Sequence, residues 1–391
     1  MTTARKHIEM LPKKADLIIE RPYVEEENRR SKKRVKIVDL FAGIGGFHYG
    51  ISASASRLKM GVEPLLVSEI EPSCQVTYAA NHRCEVQGDI NALDLSYVDQ
   101  VADIVTAGFP CQPFSNSGRK LGLSDPRGQF YFRIEEIIKK FHAKAFILEN
   151  VPGMKTNGGG SYPSQLAVEP QLIGQTMKYL EQNLLKLKDY QVQWIEIDSS
   201  KLGSPQVRKR VYIIGVHKDF SSNFCLDFGK YQHNNFMSVV DEMRIEELQL
   251  SKRQESNLRS FINHATPPSY KDGMRRVGKA YLCDGGNVGQ GYHAHGMVPT
   301  LTKVWARFMP IYFPDTRESI PELGTKDFKP NRFYGKGYIR KASVREVMRL
   351  QGFPDSFVPF ENPRRAYEHA GNAVNAKIIR EIADNLLRVI V

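Results

Sequence analysis

The sequence predicts an α/β protein, built on a doubly wound, mostly parallel sheet with a second, smaller domain. From residue 35 onward, short apolar runs alternate with amphipathic stretches of helical period, a pattern typical of βαβ units with right-handed crossovers. Beyond residue 217 the alternation stops, and Gly, Pro, Asn, Arg and aromatic residues become frequent until about residue 340. A chain of 391 residues is long enough for one large domain and one smaller domain.

The predicted elements follow one another in regular order along the chain. The predicted strands are 36–41, 64–70, 103–109, 145–151, 191–197 and 210–216, and the predicted helices are 47–58, 73–81, 129–141 and 171–187. Two more helices, 343–350 and 376–390, are expected to return to the larger domain, the first with a capping box from Ser343 and Glu346. The predicted units are therefore an N-terminal arm 1–34, a larger domain 35–217, a smaller domain 218–340 and a returning segment 341–391.

The charge balance favours a polyanionic partner. Lys and Arg number 55 against 43 Asp and Glu, which gives a net charge of +12. The arm ends in the basic run Arg29-Arg30-Ser31-Lys32-Lys33-Arg34, which could lie near nucleic acid or form a disordered leader. A merely basic enzyme is the alternative explanation of the charge.

The cysteines and the hydropathy exclude several classes of protein. Five scattered cysteines without a Cys-x-x-Cys pair argue for a reducing compartment, and against a disulfide framework or a structural zinc site. No apolar run approaches the roughly 18 residues that a membrane-spanning helix needs. We expect a protein of a reducing compartment, with no metal and no membrane contact.

The central motif is the run Gly108-Phe109-Pro110-Cys111-Gln112-Pro113-Phe114-Ser115, which follows a predicted buried strand. Two prolines bracket Cys111, so the chain must leave the sheet and form a rigid turn. Ligands of open α/β sheets bind beyond the carboxyl ends of the strands. A thiol held there is placed to act as a nucleophile, although a buried structural cysteine is an equally common outcome.

A glycine-rich turn and two acidic residues indicate a nucleotide-like cofactor. The run Asp39-Leu40-Phe41-Ala42-Gly43-Ile44-Gly45-Gly46 leads from a predicted strand into a predicted helix, whose first N–H groups are free to bind a ligand. Glu69 and Asp89 follow as candidate carboxylates at strand ends, where they could meet ribose hydroxyls. The pattern fits a nicotinamide or an adenosyl cofactor, and each acidic residue alone could equally be a helix cap.

Two further motifs carry charged side chains. Glu149, in Glu149-Asn150-Val151, ends a predicted apolar strand, where a carboxyl group could serve as a proton donor or simply cap a loop. In Gln206-Val207-Arg208-Lys209-Arg210, extended geometry puts Arg208 and Arg210 on one face. Two guanidinium groups on one side suit the recognition of carboxylate, phosphate or carbonyl oxygens, and a solvated edge strand is the alternative.

In order and spacing, these segments resemble the DNA cytosine-5 methyltransferases. The glycine turn is similar to that family's S-adenosylmethionine loop, Pro110-Cys111-Gln112 to its nucleophile motif and Glu149-Asn150-Val151 to its catalytic acid motif. Gln206-x-Arg208-x-Arg210 resembles its arginine pair. Residues 345–354 and Gly371-Asn372-Ala373-Val374 resemble its last two motifs. The resemblance implies a Rossmann-like methyltransferase sheet, with residues 218–340 and the dipeptide Thr300-Leu301 in a target-recognition domain.

The resemblance also implies roles for single residues. Cys111 would add to carbon 6 of cytosine, Glu149 would bond ring N3 and the exocyclic amine, Arg210 would hold O2, and Arg208 would support the carboxylate and the thiolate. The residues implied in binding S-adenosylmethionine are Phe41, Gly43, Gly45, Glu69, Ile70, Asp89, Ile90, Pro110, Phe130 and Asn372. Among them, Glu69 would bind the ribose and Asp89 the adenine amine. Ile70 stands where many relatives carry an aromatic residue, so its adenine contact would be purely apolar.

The resemblance implies double-stranded DNA as the partner, bound by a monomer in a restriction-modification setting, and it implies no stable complex with a cognate nuclease. It also implies a protein of the bacterial cytoplasm, associated with the nucleoid, or one encoded by a phage. Three alternatives remain. The related tRNA-methylating branch carries a Cys-Phe-Thr signature, whereas here Cys225 precedes Leu226 and Cys283 precedes Asp284. An NAD-dependent oxidoreductase would leave the Pro-Cys-Gln loop and the arginine pair unexplained. An inactive DNA-binding homologue would have no reason to keep all four catalytic residues.

Overall fold

The computed structural model describes the larger part of the chain. The described residues are 33–96, 98–109, 130–153, 187–231, 234, 238–241, 248–250, 252, 292–293, 298–302, 306, 309–313 and 338–391. Several predictions therefore lie outside the described residues. They are the arm up to residue 32, Pro110 and Cys111, nearly all of the predicted helix 171–187 and most of the segment 218–340. The domain boundaries stay a prediction.

The strands and helices lie close to their predicted positions. The strands are β1 Arg34–Leu40, β2 Gly61–Ser68, β3 Ile104–Ala107, β4 Ala145–Asn150, β5 Tyr190–Asp198, β6 Gln206–Val207, β7 Lys209–His217, β8 Tyr292–His293, β9 Val298–Pro299, β10 Pro310–Phe313 and β11 Tyr338–Lys341. The helices are α1 Gly46–Arg57, α2 Pro72–His82, α3 Phe130–Lys140, α4 Val344–Leu350, α5 Pro363–Asn372 and α6 Ala376–Ile390. The predicted capping box at the start of α4 is present: Ser343 and Glu346 bond each other's backbone N–H groups.

A six-stranded sheet in the order β2-β1-β3-β4-β7-β5 forms the centre of the fold. The pairs β1–β2, β1–β3 and β3–β4 are parallel, which confirms the predicted mostly parallel sheet. The strand β7 runs antiparallel to both of its neighbours, β4 and β5. This reversal brings the start of β7, and with it Arg210, to the same edge of the sheet as the end of β4.

Both faces of the sheet are covered, as the alternation of strands and helices predicts. Along β1, Val38 and Leu40 join a core with residues of α3, whereas Val35 and Ile37 join the opposite core with α1 and α6. The last helix therefore packs back onto the first βα unit, as predicted. No helix in the described part of the chain has the length and apolar character that a membrane crossing requires.

The strand β2 begins three residues earlier and ends two residues earlier than predicted. The reason is that β2 is an edge strand, which tolerates Pro64 in its interior. The register with β1 shifts at this point, because Pro64 faces Ile37 and Leu66 faces Val38, leaving Leu65 as a bulge. Glu69 and Ile70 consequently lie just beyond the strand, in the loop at its carboxyl end.

A small three-stranded sheet in the order β11-β10-β8 and a two-stranded pair β6–β9 make up the rest of the described strands. In the latter, Gln206 and Val207 pair in parallel with Val298 and Pro299. Thr300 Oγ1 also donates to the Val207 carbonyl at 2.9 Å. The segment 298–302 is thus attached directly to the chain immediately before β7.

Candidate active site

The carboxyl ends of the parallel strands β1 to β4 converge at one edge of the sheet, and the candidate residues lie there. The turn after β1 requires unusual backbone angles: φ is +52° at Phe41, +56° at Gly43 and +89° at Gly45. A side chain at Gly45 would overlap the imidazole of His82, whereas the space beside Gly43 is open. Close packing therefore demands glycine at position 45, and the turn leaves room for a ligand at position 43.

The Glu69 carboxylate is anchored to this turn. One oxygen accepts from the backbone N–H of Gly43 and the other from that of Glu71, both at 2.8 Å. Burial raises the pKa of Glu69, and the backbone donors oppose that rise. Each oxygen keeps further acceptor capacity, which suits neutral hydroxyl donors. Beside it, the Ile70 side chain is 69% exposed and offers an apolar surface at the same edge.

Asp89 is held next to Glu69 by bonds between the two segments. The Glu69 N–H donates to the Gln87 carbonyl at 2.9 Å, and Ser68 Oγ donates to the Gly88 carbonyl at 2.7 Å. Asp89 itself is exposed and caps a short 3-10 turn by accepting from the Asn91 N–H at 2.9 Å. The edge therefore presents two carboxylates on adjoining segments.

The remaining residues expected at the cofactor side lie around this turn. Ile90 follows Asp89 and is buried in the core on the α3 side of the sheet. Phe130, the first residue of α3, makes an edge-to-face contact with Phe41, with ring centroids 5.2 Å apart. Asn372 is exposed at the end of α5.

On the other side of the edge, Glu149 and Arg210 form an ion pair, with 3.0 Å between Oε1 and Nε. They come together because Glu149 faces Tyr212 across the antiparallel pair β4–β7, and Arg210 lies two residues away on the same face. Each side chain is 13% exposed, so the pair is shielded from water but still accessible. The other Glu149 oxygen lies 3.9 Å from the position that a Cβ on Gly108 would take.

Glu149 thus lies beside the stem of the loop that carries Cys111 three residues later. The neighbouring Asn150, which is buried, donates from Nδ2 to the Phe109 carbonyl at 3.3 Å and ties the same stem to β4. Pro110 and Cys111 lie outside the described residues, so their expected roles stay predictions.

Arg208 has different surroundings from Arg210. Its buried guanidinium donates to the carbonyls of Leu301 at 3.0 Å, Gly371 at 3.4 Å and Ala373 at 2.8 Å. It therefore holds the backbone on either side of Asn372, and the segment 298–302, against the sheet. The support of the carboxylate and thiolate that we expected of Arg208 stays a prediction.

Residues 35–388 match the family model of the C-5 cytosine-specific DNA methylases. The chain belongs to this family. It is 32% identical to the type II methyltransferase M1.ScrFI of Lactococcus lactis subsp. cremoris, over 93% of this chain and 80% of that one. It is 31% identical to M.NlaX of Neisseria lactamica, over 90% of this chain and 96% of that one. Among solved structures, the Entamoeba histolytica methyltransferase EhMeth has the same fold, with a TM-score of 0.65 at 16% identity over 91% and 99% of the two chains.

Membership confirms the resemblance drawn from the motifs and identifies the protein as a DNA cytosine-5 methyltransferase. It rules out the NAD-dependent oxidoreductase, because the matched residues 35–388 include the glycine turn on which that alternative rested. Methyltransferases of this kind generally use S-adenosylmethionine. The open space at Gly43, the anchored Glu69 carboxylate, the exposed Ile70 and the exposed Asp89 fit such an adenosyl group.

A polar cluster beneath the glycine turn of this DNA methylase was not predicted from the sequence. Asp39 is fully buried and accepts from Thr106 Oγ1 at 2.7 Å and from the Tyr78 hydroxyl at 3.1 Å. Burial raises the pKa of Asp39 to about 7, although these bonds oppose the rise. The Tyr78 hydroxyl shares a hydrogen bond with His48 Nδ1 at 2.9 Å, and the ring of His82 stacks on His48 at 4.0 Å. The one available signal was the spacing of Tyr78 and His82, four residues apart on one helix face.

Proposed function

We propose that this enzyme transfers a methyl group from S-adenosylmethionine to carbon 5 of a cytosine within a specific sequence of double-stranded DNA. The reaction would proceed through a covalent bond between Cys111 and carbon 6 of a flipped-out base. The observation that carries the proposal is the Glu149–Arg210 ion pair beside Gly108, at the stem of the Cys111 loop. The same edge of the sheet carries the open glycine turn, and Cys111 follows Gly108 by three residues in the chain, which supports a nucleophile, an acid and a cation acting together here.

Carbon 5 of cytosine is too weak a nucleophile to react unaided. The Cys111 thiolate would attack carbon 6, and the electrons of the carbon 5–carbon 6 double bond would then make carbon 5 nucleophilic. Glu149 would hold a proton at ring N3 and accept from the exocyclic amine, stabilising the charge that develops on addition. Arg210 has five N–H donors, and its bonds to Glu149 and the Lys209 carbonyl leave others for cytosine O2.

S-adenosylmethionine, when bound, would supply its sulfonium methyl group to carbon 5 and leave as S-adenosylhomocysteine. Loss of the carbon 5 proton to a base would then restore the double bond and release the Cys111 thiolate. The residues that would hold the cofactor are Phe41, Gly43, Gly45, Glu69, Ile70, Asp89, Ile90, Pro110, Phe130 and Asn372. Glu69 would accept from ribose hydroxyls, Asp89 would accept from the adenine amine, and Ile70 would cover the adenine face.

A cytosine stacked in a duplex cannot be reached by this edge of the sheet, so the base would be flipped out at a cost of a few kcal/mol. Phosphate contacts from a chain of net charge +12 would offset that cost and make DNA binding strongly salt-dependent. The segment 218–340 would recognise the sequence, and the pairing of its residues Val298 and Pro299 with β6, just before Arg208, supports this role. We propose that the protein acts as a monomer in a restriction-modification setting.

The decisive experiment uses a duplex with 5-fluorocytosine at the target position, found by bisulfite sequencing of DNA from cells that express the chain. Fluorine replaces the departing proton, so the enzyme should remain covalently bound to the oligonucleotide. The Cys111→Ser variant should form no adduct and show no turnover, while binding S-adenosylmethionine with near-normal affinity. A methylated site that yields no adduct with the fluorinated base would contradict the covalent mechanism.

The choice of nucleic acid is tested separately. Transfer of a labelled methyl group should occur with duplex DNA and not with tRNA. Preferential transfer to tRNA would favour the tRNA-methylating branch, and absence of transfer to either would favour an inactive DNA-binding homologue.

A further inference from the structure

Arg133 joins helix α3 to the turn that carries Asp89. Its Nε donates to the Ile90 carbonyl at 3.1 Å, and one terminal nitrogen donates to the Leu93 carbonyl at 2.6 Å. The other terminal nitrogen forms an ion pair with Glu136 at 2.7 Å. The Arg133 side chain is 18% exposed, so these bonds are largely shielded from water.

Different contacts determine where the turn at residues 89–93 lies and how its peptide groups are rotated. The apolar side chains of Ile90 and Leu93 belong to the same core as Ile134 of α3, which determines where the turn lies. Burial of these side chains does not determine how the peptide groups between them are rotated, because apolar contact is non-directional. A guanidinium that bonds two carbonyls has a planar, rigid fork and does set that rotation.

The rotation of these peptide groups controls the direction of the Asp89 carboxylate. One Asp89 oxygen accepts from the Asn91 N–H at 2.9 Å and from the Asn91 side-chain amide at 3.1 Å. The Asn91 N–H belongs to the same peptide group as the Ile90 carbonyl that Arg133 binds. Arg133 and Asp89 therefore bond opposite sides of one peptide group. If loss of Arg133 lets this group rotate, the hydrogen bond that orients Asp89 changes direction.

We propose that Arg133 is a positioning residue for the adenine end of the cofactor pocket. It holds the peptide group that aims the Asp89 carboxylate, and it does not touch the cofactor itself. The inference rests on the proposed function, in which Asp89 accepts from the adenine amine.

The test compares Arg133→Met with wild type in the full-length enzyme. Met keeps an unbranched apolar side chain, shorter than that of Arg, and removes both carbonyl bonds together with the ion pair to Glu136. The dissociation constant of S-adenosylhomocysteine, measured by calorimetry, should rise about tenfold, which corresponds to the net value of one to two hydrogen bonds. The KM for S-adenosylmethionine should rise by a similar factor, while kcat at saturating cofactor and the KM for DNA stay within about twofold.

A second ligand shows whether the loss is at the adenine end. Wild type should prefer S-adenosylhomocysteine over its inosine analogue, in which an oxygen replaces the adenine amine. In Arg133→Met that preference should become smaller, because an Asp89 carboxylate in another orientation no longer accepts a hydrogen bond from the adenine amine. Arg133→Lys, which can reach one of the two carbonyls, should restore part of it.

The matched control is Glu136→Gln, which removes the ion pair of Arg133 and leaves its two carbonyl bonds. This variant should bind both ligands as wild type does. An adenine preference unchanged in Arg133→Met overturns the inference. If Arg133→Met does not fold, Arg133→Lys replaces it, and an adenine preference equal to that of wild type then overturns the inference. Failure of wild type to bind S-adenosylhomocysteine would instead contradict the proposed cofactor. Equal affinity of wild type for S-adenosylhomocysteine and its inosine analogue would contradict the proposed role of Asp89.

Discussion

Two glutamates lie at the same edge of the sheet and are held in opposite ways. Glu69, beyond β2, accepts from two backbone N–H groups. Glu149, at the end of β4, is paired with the guanidinium of Arg210. Both are acidic and both stand at the carboxyl end of a strand, so the sequence around each suggests little difference between them.

The difference in partners agrees with the two roles proposed above, in which Glu69 binds the cofactor and Glu149 takes part in the reaction. Backbone donors fix the direction of Glu69 without adding a charged side chain, which suits the recognition of neutral hydroxyls. A guanidinium beside Glu149 adds a positive charge where negative charge would develop on the base, which suits catalysis. The proposed roles of the two glutamates therefore rest on their surroundings, since the residue type is the same.

The largest effect that would sharpen this comparison is expected from Glu149→Gln. An amide can neither pair with Arg210 as an ion nor supply a proton to ring N3. Methyl transfer measured with labelled cofactor at saturation should therefore fall about a hundredfold or more. The KM for S-adenosylmethionine should stay near that of wild type.

Glu69→Gln is the counterpart of that variant. An amide has one acceptor oxygen, so the Gly43 or the Glu71 N–H would face an NH₂ group. We expect the KM for S-adenosylmethionine to rise about tenfold while kcat is retained. A kcat lost at Glu69 and kept at Glu149 would reverse the two roles.

The next effect compares the two glycines of the turn. Gly45→Ala should lower the free energy of unfolding by about 2 kcal/mol or more, because alanine there combines positive φ with overlap on His82. Gly43→Ala meets open space and should cost only about 1 kcal/mol, from its positive φ. Urea titration measures the unfolding free energy of both variants. Equal losses would show that the space beside Gly43 is not open.

The last effect depends on pH and concerns His48 and His82, which lie beneath the cofactor side. Burial lowers the pKa of His82 to about 3, so the folded state keeps its imidazole neutral where the unfolded chain is protonated. Since the folded pKa is depressed, the stabilisation is present above about pH 6.5 and is lost as pH falls towards 3, by roughly 1.4 kcal/mol per unit. The raised pKa of Asp39 has the opposite effect on the unfolding free energy. Its contribution is fully present below about pH 4 and is lost as the pH rises to about 7.

The variant His82→Phe isolates that contribution, because phenylalanine keeps the stack on His48 and cannot be protonated. Between pH 7.5 and pH 5.0, wild type should lose roughly 2 kcal/mol more of its unfolding free energy than the variant does. Identical losses would show that His82 is protonated in the folded protein.

Much of the fold was predictable because its signals are local. The glycine turn, the capping box of Ser343 and the helix 376–390 each depend on neighbouring residues, and each is found where the sequence indicates it. The extent of β2 was predicted wrongly because the tolerance of Pro64 depends on β2 being an edge strand, which no short window of sequence contains. The antiparallel direction of β7 has the same explanation, since it depends on which strands become neighbours.

The sequence by itself determined the alternation of strands and helices, the family, and which residue types stand at the strand ends. These follow from periodicity and from motifs that are short in sequence. Only the tertiary structure decided that Arg210 pairs with Glu149, that Arg208 holds three backbone carbonyls, and that Arg133 reaches the Asp89 turn. Such pairings join residues about 40 to 165 positions apart, and only packing of the whole chain brings their atoms within bonding distance.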